Sequence, residues 1–571
     1  MIEFKPDKLS IENFRGIPKL ELNIIDKTPT YLIGPNNSGK STILQAIAFV
    51  FTAGGFHKFT PKDYDFYHNN KNVKSNGFNI QLDFKSSSQL PSVHTVGAVK
   101  EVQSIQVKGS YYKTSDRMDH SHRLIDKDGK SIVLATEMKP SKNDAQLYEE
   151  AGHGYRQRNA RLDDIREYTP EVWLLTASNL DASLYNWKTG PLNKLAKILS
   201  QKFFEEKWEF EYSGDKRKMP KGIQQAHSFF SSAVKEFPYW KNELKPALEK
   251  SLSTYLGKQT SIELNPLLQS IEDWLQQQLL LSFAAEMGTA FTPLDRMGDG
   301  FQSLVRLAAL EVLADMDEVK KDNVIVLYEE PETYLHPHLK RKLRNIFEKL
   351  AEKGWYIFCA THAPEFVTFE KSQNINRIFR EEDGIEHGHI LTSKIPNNLR
   401  LQEKLDEYGN HEIFFAQKII LCEGKDDLFA IKSYLELCNI DIEAMSISIL
   451  SCSGIENIPD FAEIAKNMKI PFCAVTDMDI DSVTGKVKNK TEKARKAIST
   501  IMTTKDKMAE WENNLEDCLL APFKQNSNER KKAIPEWQRD NIFVKSFSDL
   551  TNDYPKYKYT CETLLDWLGI D

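Results

Sequence analysis

The chain has 571 residues, which is more than one hydrophobic core usually organises, so two or three domains are expected. Hydrophobic residues make up 40% and charged residues 27%, and neither a membrane-length apolar run nor a signal peptide follows Met1, which favours a soluble cytoplasmic protein. The formal net charge of -7 gives no overall attraction to nucleic acid, so DNA binding would have to come from local basic patches.

The first predicted elements are two strands, a glycine-rich loop and a helix. Apolar patterns over 9–15 and 30–33 predict the strands, and the second runs directly into Gly34-Pro35-Asn36-Asn37-Ser38-Gly39-Lys40-Ser41, a complete phosphate-loop pattern. Such a loop binds ATP because its backbone N–H groups surround the phosphates at a helix N-terminus. Lys40 would neutralise the β- and γ-phosphates, and the Ser41 hydroxyl would bind Mg²⁺. The expected nucleotide-binding residues of this segment are Asn36, Gly39, Lys40, Ser41 and Thr42.

The middle of the chain changes character twice. Short alternating runs between about 78 and 140 predict antiparallel strands, and helical periodicity between about 185 and 290 predicts an inserted arm. Strand patterns return near 324–327 and 355–360, and a polar segment near 400 precedes a second α/β run. The expected organisation is an ATPase domain over 1–184 and 286–395, a helical insertion over 185–285, a linker over 396–410 and a second α/β domain over 411–571.

Two of these later strands end in side chains that suit nucleotide chemistry. The first runs into Glu329 and Glu330, of which Glu329 is placed to hold Mg²⁺ and Glu330 to polarise the attacking water. The next strand ends just before His362, whose imidazole could contact the γ-phosphate. An isolated histidine is more often a surface residue, and only the position after this strand favours the functional interpretation of His362.

These stretches resemble the Walker B, D-loop and switch-histidine motifs of ABC-type ATPases of the SMC and RecF kind. The segment from Arg296 to Leu304 resembles their signature loop, which closes on ATP held by the opposite subunit, so the resemblance implies that Gly298 and Gly300 contact nucleotide. The signature loop is degenerate here, and Glu329 replaces the usual aspartate. Both departures favour nucleotide binding over fast hydrolysis.

A second set of acidic residues lies in the C-terminal α/β run. One apolar strand ends at Glu423 and another ends in Asp477-Met478-Asp479. Alternation along a strand would place Asp477 and Asp479 on one face, where they and Glu423 would converge on Mg²⁺ or Mn²⁺ through oxygen ligands. Metal held this way would support phosphodiester hydrolysis. Asp427, one helical turn beyond Glu423, would either add a metal ligand or cap the helix.

The Glu-Gly pair at 423–424 and the Asp-x-Asp at 477–479 resemble the Toprim domain of primases, type II topoisomerases and OLD (overcoming lysogenisation defect) nucleases. OLD nucleases also use a late lysine near the scissile phosphate, and Lys558 or Lys556 would either fill that role or lie on a solvated surface. Thr551 stands where their late Glu is expected, which leaves Asp549 or Asp553 as substitutes. Basic residues after the Asp-x-Asp strand would either grip DNA phosphates or form a solvated face: Lys486, Lys488, Lys490, Lys493, Arg495, Lys496, Arg530, Lys531 and Lys532.

An ABC-type ATPase domain with a helical insertion, followed by a Toprim α/β domain, is the arrangement of the OLD nucleases, and the resemblance covers nearly the whole chain. It implies an ATP-gated DNA endonuclease with ATP and Mg²⁺ or Mn²⁺ as cofactors.

The same resemblance implies a homodimer or higher homo-oligomer, with the insertion as dimerisation arm, and an effector role in bacterial defence against phage. Relatives act alone, with a helicase-like protein as in Gabija systems, or with a reverse transcriptase and its RNA–DNA product as in retrons. The alternative from another class is a RecF- or SMC-like DNA-binding ATPase whose Toprim domain does not cleave.

Overall fold

The fold is taken from a computed structural model of the chain. The chain forms two compact units, of which the first contains Met1–Leu32 and Asn37–Phe366 and the second contains Val367–Phe379 and Glu386–Asp571. The predicted linker over 396–410 lies almost entirely outside the described residues. The structure describes residues 5–51, 62–68, 74–89, 101–112, 117–137, 155–159, 169–176, 190–192, 194–195, 198, 232–264, 283–287, 290–293, 297–316, 324–368, 372–381, 384–391, 405, 410–480, 486–515, 518 and 555–570.

An antiparallel sheet of five strands opens the first unit. Buried Leu9 and Ile11 alternate with more exposed neighbours, as expected of a sheet that packs one face on a core. Its strands are β1 (Pro6–Phe14), β2 (Ile17–Asn23), β4 (Gly77–Gln89), β5 (Glu101–Tyr112) and β6 (Arg117–Ile125). They run in the order β2-β1-β4-β5-β6, which agrees with the antiparallel strands predicted over 78–140.

Four parallel strands form the centre of the first unit. They are β3 (Thr30–Ile33), β9 (Glu171–Thr176), β13 (Val324–Glu329) and β14 (Tyr356–Ala360), and they run in the order β3-β14-β13-β9. Strands β3 and β14 are buried along their whole length, because residues above and below cover both faces. The carboxyl ends of parallel strands meet at one edge, so the segments that follow β3, β13 and β14 are brought together there.

The remaining elements of this unit are helices and two small sheets. The helices are α1 (Lys40–Val50), α2 (Lys245–Leu256), α3 (Asp299–Asp315) and α4 (Pro337–Glu352), and a π-helical turn at Trp240–Leu244 leads into α2. The small sheets are β7 (Val133–Glu137) with β8 (Tyr155–Asn159), and β10 (Ile262–Leu264) with β11 (Phe283–Met287) and β12 (Ala290–Pro293).

The interval predicted as a helical insertion therefore contains strands as well as helices. Helix α2 and the π-helical turn fit the prediction, whereas β10 and β11 pair as antiparallel strands. The alternation of Ile262, Glu263 and Leu264 has the two-residue period of a strand. The periodic segment 267–275 lies outside the described residues. Among the helices that the structure describes, none combines the length and apolar character needed to cross a bilayer.

The second unit is built on a four-stranded parallel sheet in the order β18-β17-β19-β20. Its core includes Trp511 and Tyr557, whose rings stack with centroids 5.6 Å apart. The strands of this part of the chain are β15 (Asn374–Glu381), β16 (Gly384–Leu391), β17 (Lys418–Cys422), β18 (Ile447–Ser451), β19 (Phe472–Asp477) and β20 (Lys507–Trp511). The helices are α5 (Lys425–Leu437), α6 (Ile458–Asn467), α7 (Asn489–Ile501) and α8 (Pro555–Leu568).

A buried arginine ties β15 to the rest of the second unit. Arg377 is 3% exposed, and its guanidinium donates to the carbonyl oxygens of Ala416 at 2.9 Å, Lys469 at 3.3 Å and Met468 at 3.4 Å. Two of these carbonyls belong to the turn that follows α6. Arg377 therefore satisfies carbonyl groups of the turn after α6 and of the segment that leads into β17.

Candidate nucleotide and metal sites

The phosphate loop joins the end of β3 to the start of α1, as the sequence predicts. Gly34 has φ of 134°, and a Cβ there would lie 2.0 Å from the carbonyl oxygen of Ile378, so no other residue fits. Gly39, with φ of 107°, precedes the first residue of α1. Arg380 donates from Nε to the carbonyl oxygen of Asn37 at 2.9 Å and supports the loop from outside. The other predicted residues follow: Asn36 is exposed in the loop, and Ser41 and Thr42 are half-buried in the first turn of α1.

Lys40 lies in an acidic surrounding. Its side chain is 5% exposed, and burial lowers the pKa of its ammonium to about 8, against the raising effect of Glu330, Glu332 and Glu329. Lys40 therefore shares one site with the carboxylates at the end of β13, as expected for a lysine that neutralises phosphates beside a metal-holding strand.

The segment after β13 is held in an unusual backbone conformation. Glu329 ends the strand, and Glu330 has φ of 47° while its N–H donates to the carbonyl oxygen of Ala360 at 2.8 Å. This bond joins the tip of β13 to the tip of β14. Positive φ at a non-glycine residue is strained, and it occurs where surrounding structure fixes the backbone, often at functional sites.

Glu332 is the residue of this site to which the sequence assigned no role. Its carboxylate accepts from the Thr361 hydroxyl at 2.8 Å and from the His362 backbone N–H at 2.6 Å. Burial raises the pKa of Glu332, in spite of these hydrogen bonds. The only signal in the sequence was its position two residues after Glu330, which does not reveal partners in the segment that follows another strand. Glu332 fixes the segment that carries His362.

His362 lies beyond β14, where the sequence predicted it. Burial, and secondarily the charge of Lys40, lowers the pKa of its imidazole to about 4. The ring is therefore neutral at physiological pH, and it can donate one hydrogen bond without adding positive charge.

The predicted signature loop leads into α3. Gly298 caps this helix and Gly300 lies in its first turn, so their backbone N–H groups stand at a helix N-terminus. Their contact with nucleotide stays a prediction.

The acidic residues of the second unit meet where neighbouring strands end. Glu423 follows β17 and Asp477 ends β19, which pairs with β17, and the Asp477 N–H donates to Glu423 Oε1 at 2.9 Å. Burial raises the pKa of Glu423 to about 7, against the lowering effect of that hydrogen bond, and the carboxylates of Asp427, Asp479 and Glu456 raise it further. Glu423 therefore lies among negative charges that favour a cation.

Asp479 reaches this region by a different route from the one the sequence suggested. Strand β19 ends at Asp477, and Asp479 has φ of 47°, so strand alternation does not extend to it. Its Oδ1 accepts from Lys488 Nζ at 2.9 Å and its Oδ2 from the Thr491 hydroxyl at 2.9 Å. Within the part of the chain that the structure describes, no three Asp, Glu, His or Cys side chains already stand together as a metal site.

The donor set nevertheless fits a hard divalent cation. Glu423, Asp477 and Asp479 offer only carboxylate oxygens, which Mg²⁺ and Mn²⁺ prefer. Asp479 already holds one cation, the Lys488 ammonium.

Asp427 has both carboxylate oxygens engaged in the described structure. Its Oδ2 accepts from the Gly424 N–H at 2.8 Å, which caps α5, and its Oδ1 accepts from the Trp511 indole N–H at 2.9 Å. This geometry is that of the helix cap, which the sequence offered as the alternative. A metal-ligand role for Asp427 stays a prediction.

The two candidate late lysines lie on α8 and have different partners. Lys558 forms an ion pair with Glu562, one turn along the same helix, at 3.5 Å. Lys556 pairs at 2.7 Å with Glu512, which follows β20, and β20 ends with Trp511 opposite Asp477. Lys556 thus contacts the residue that follows the strand paired with Asp477, whereas the ion pair of Lys558 stays within its own helix. The segments with Thr551 and with Arg530 to Lys532 lie outside the described residues.

A phosphate-loop ATPase with a Toprim-like domain after it is the class that these features define. The profile of the family described as AAA ATPase domain matches residues 5–367, and that of the overcoming lysogenization defect protein-like TOPRIM domain matches residues 414–479. The chain belongs to this AAA ATPase family and carries an OLD-like Toprim domain. The predicted α/β fold and the predicted assignment to the OLD family are thereby confirmed.

Known proteins with similar sequences are nucleases by name. The OLD nuclease of Thermus scotoductus is 28% identical over 33% of this chain and 36% of its own length. The Old nuclease of Escherichia phage P2 is 21% identical over 82% of this chain and 76% of its own length. Endonuclease GajA of Bacillus cereus is 21% identical over 42% of this chain and 41% of its own length. The chain therefore spans about a third of the first of these relatives.

Solved structures with weak similarity to this chain include SMC heads. An SMC head bound to the C-winged helix domain of ScpA has a TM-score of 0.40 and 14% identity, and it covers 68% of this chain and 98% of its own. The SMC head domain from Thermotoga maritima has a TM-score of 0.34 and 13% identity, with coverage of 68% and 99%.

Proposed function

We propose that the chain is a divalent-metal-dependent DNA endonuclease whose cleavage is coupled to ATP binding. The observation that carries the proposal is the meeting of Glu423 and Asp477 at adjoining strand ends, with Asp479 and Glu456 close enough to raise the pKa of Glu423. Clustered carboxylates of this kind hold metal for phosphodiester hydrolysis. Three relatives named nucleases support the same activity.

In the proposed reaction Glu423, Asp477 and Asp479 hold the metal, with Mg²⁺ or Mn²⁺ expected. When bound, the metal would supply Lewis acidity and activate a water. The hydrogen bond from the Asp477 backbone orients the carboxylate of Glu423 before any cation arrives. Lys556 or Lys558 would contact the scissile phosphate, and the contact of Lys556 with Glu512 favours Lys556.

The nucleotide site is proposed to bind ATP with Mg²⁺ at Ser41 and Glu329. Lys40, buried among three glutamates, gains a favourable partner when phosphates enter its site. Glu330 would polarise water and a neutral His362 would donate to the γ-phosphate. Both positions suit slow hydrolysis as well as binding, so ATP hydrolysis belongs to the proposal.

The family resemblance also supports a wider assignment. We propose a homodimer or higher homo-oligomer that acts on DNA as an effector of defence against phage, alone or with a helicase-like protein or a reverse transcriptase and its RNA–DNA product. The relative named endonuclease GajA supports the nuclease part of this assignment. Plating of phage on cells that express the wild-type chain, the Asp477→Asn chain or neither would test the defence role. The proposal requires that only the wild-type chain lowers the number of plaques.

The deciding experiment incubates the purified full chain with supercoiled plasmid and Mg²⁺ or Mn²⁺, with and without ATP. Asp477→Asn should abolish nicking because it removes a charged oxygen ligand, whereas Asp566→Asn, which alters an exposed carboxylate of the same unit, should nick like wild type. Lys40→Ala should lose ATP binding and, with it, any effect of ATP on nicking.

If the wild-type chain nicks no plasmid under any of these conditions but binds ATP and DNA, the alternative holds and the Toprim domain is non-cleaving. Equal nicking by Asp477→Asn would remove the acidic strand ends from the active site.

A further inference from the structure

The carboxylate of Asp479 is held by two partners of different kinds. Thr491 is 1% exposed, and its hydroxyl fixes Oδ2 from within α7. The Lys488 ammonium binds Oδ1 from the solvent side, and the side chains of Lys488 and Asp479 are 57% and 29% exposed. One oxygen is therefore held by a buried neutral donor, and the other by an exposed, exchangeable cation.

The backbone around this pair is closed on itself. The Lys488 N–H donates to the carbonyl oxygen of Asp479 at 3.1 Å, and Ile480 and Val487 form an isolated bridge between the two ends of the same loop. The N–H of Asp479 donates to the carbonyl oxygen of Asn513 at 2.7 Å. The two main chains are thus fixed side by side, and only the four-carbon stem of Lys488 has to rotate for its ammonium to leave Asp479.

A second lysine at the start of α7 repeats this arrangement. Lys490 pairs with Glu456 at 2.6 Å, and the two side chains are 64% and 37% exposed. Glu456 and Asp479 are two of the carboxylates close enough to Glu423 to act on it electrostatically. The start of α7 therefore places ammonium groups on two carboxylates that could instead bind a divalent cation.

Exposed lysine–carboxylate pairs contribute little net free energy, because the ammonium is strongly hydrated and its side chain loses rotational freedom. A divalent cation carries twice the charge and needs no ordered stem. Exchange of one for the other at Asp479 is thus expected to be possible without any movement of the backbone.

We propose that Lys488 is a resident counter-ion that occupies the place of the divalent cation on Asp479 and is displaced when that cation binds. The inference rests on the proposed function, since it assumes that the acidic strand ends are the metal site. Lys488 is in this sense a positioning residue that keeps Asp479 oriented by Thr491 and neutralised until metal arrives.

The test titrates Mn²⁺ into the full chain without nucleotide or DNA, and free Mn²⁺ is counted by electron paramagnetic resonance. Lys488→Met keeps the apolar stem and removes the charge, so its dissociation constant for Mn²⁺ should be lower than that of wild type by about two- to fivefold. Lys507→Met is the matched control, because Lys507 pairs with Asp566 at 2.6 Å at the far end of β20 from Trp511. Its Mn²⁺ affinity should equal that of wild type.

Asp477→Asn identifies the Mn²⁺ that belongs to this site. If wild type shows Asp477-dependent binding and Lys488→Met binds Mn²⁺ equally or more weakly, the exchange is wrong while the proposed metal site stands. If no Asp477-dependent binding occurs, both the metal site and the exchange are wrong. Mn²⁺ affinity is measured for Lys488→Gln as well, and the unfolding of each variant is followed by circular dichroism. A change in Mn²⁺ affinity is thereby distinguished from a change in folding.

Discussion

At the scale of single residues, Lys40 shows how burial sets the chemistry of the nucleotide site. An ammonium that burial would leave partly neutral near pH 8 becomes fully charged when phosphates lie beside it. ATP binding must then take up a proton whenever Lys40 is neutral in the free protein. His362 adds nothing to this balance above about pH 5, because burial keeps its imidazole neutral.

We expect ATP affinity to fall as pH rises through 8. Below the pKa of about 8 the ammonium is already charged. Above it, Lys40 has to be protonated on binding, and the free energy of that protonation weakens the binding. The dissociation constant at pH 9 should exceed that at pH 7 by about tenfold. Calorimetry in buffers of different ionisation enthalpy measures both the affinity and the proton uptake. Affinity that stays constant from pH 7 to 9.5, with no proton uptake, would contradict the buried, shifted lysine.

Residue types and their order were enough to predict most of the candidate site. Lys40, Glu329, Glu330 and His362 lie at or after strand ends at one edge of the sheet, and Glu423 and Asp477 do so in the second unit. Orientation was harder to predict. Asp479 leaves the strand in a left-handed conformation, which the period-two pattern of an apolar run does not reveal.

At the scale of secondary-structure elements, the strands with continuous apolar runs were predicted best. Strands β13, β14, β17 and β19 are buried on both faces, so each stands out in the sequence without reference to its neighbours. The hydrogen bonds of Arg377 in β15 go to carbonyl groups about 40 to 90 residues away in sequence, and no local sequence pattern predicts them. The same reasoning explains why the role of Glu332 was missed.

Replacement of Arg377 should weaken the second unit. Burial lowers the pKa of its guanidinium to about 10, so the group stays charged at neutral pH and donates to three carbonyl oxygens. Arg377→Met would leave buried carbonyls without these donors and should lower the free energy of unfolding by about 2 kcal/mol.

Urea denaturation followed by far-ultraviolet circular dichroism measures the effect of this change. Lys466→Met, on the exposed side of α6, is the control and should change the free energy of unfolding by less than about 0.5 kcal/mol. An unfolding midpoint of Arg377→Met equal to that of the control would show that water satisfies the carbonyl groups instead.

At the scale of the whole molecule, the net charge is negative, whereas one helix of the second unit carries a local excess of positive charge. The chain carries a formal charge of -7, yet α7, which begins beside Asp479, and the residue before it carry four exposed lysines: Lys488, Lys490, Lys493 and Lys496. Attraction to DNA is therefore expected to be local and screened by salt.

Removal of two of these lysines should change the salt dependence of DNA binding. The slope of log affinity against log salt is negative, and we expect the double variant Lys493→Ala with Lys496→Ala to make it shallower by about two. Each lysine that contacts a phosphate releases about one counterion. Fluorescence anisotropy with labelled duplex DNA and Ca²⁺ measures the slope. Lys432→Ala with Lys466→Ala changes the net charge equally from other helices and should leave the slope unaltered; an equal loss in both double variants would rule out α7 as the contact.

The register of the first unit also constrains the order in which the chain can acquire its structure during synthesis. Thr30 pairs with Phe358 and Leu32 with Ala360, whereas in the second unit Lys418 pairs with Ile447 and Cys422 with Ser451. A ribosome that has completed the phosphate loop must therefore still produce hundreds of residues before the strand beside it exists. Until then the apolar β3 strand lacks its parallel partner β14. The first unit therefore stays incomplete, and open to misfolding and to chaperone binding, for longer during synthesis than the sheet of the second unit does.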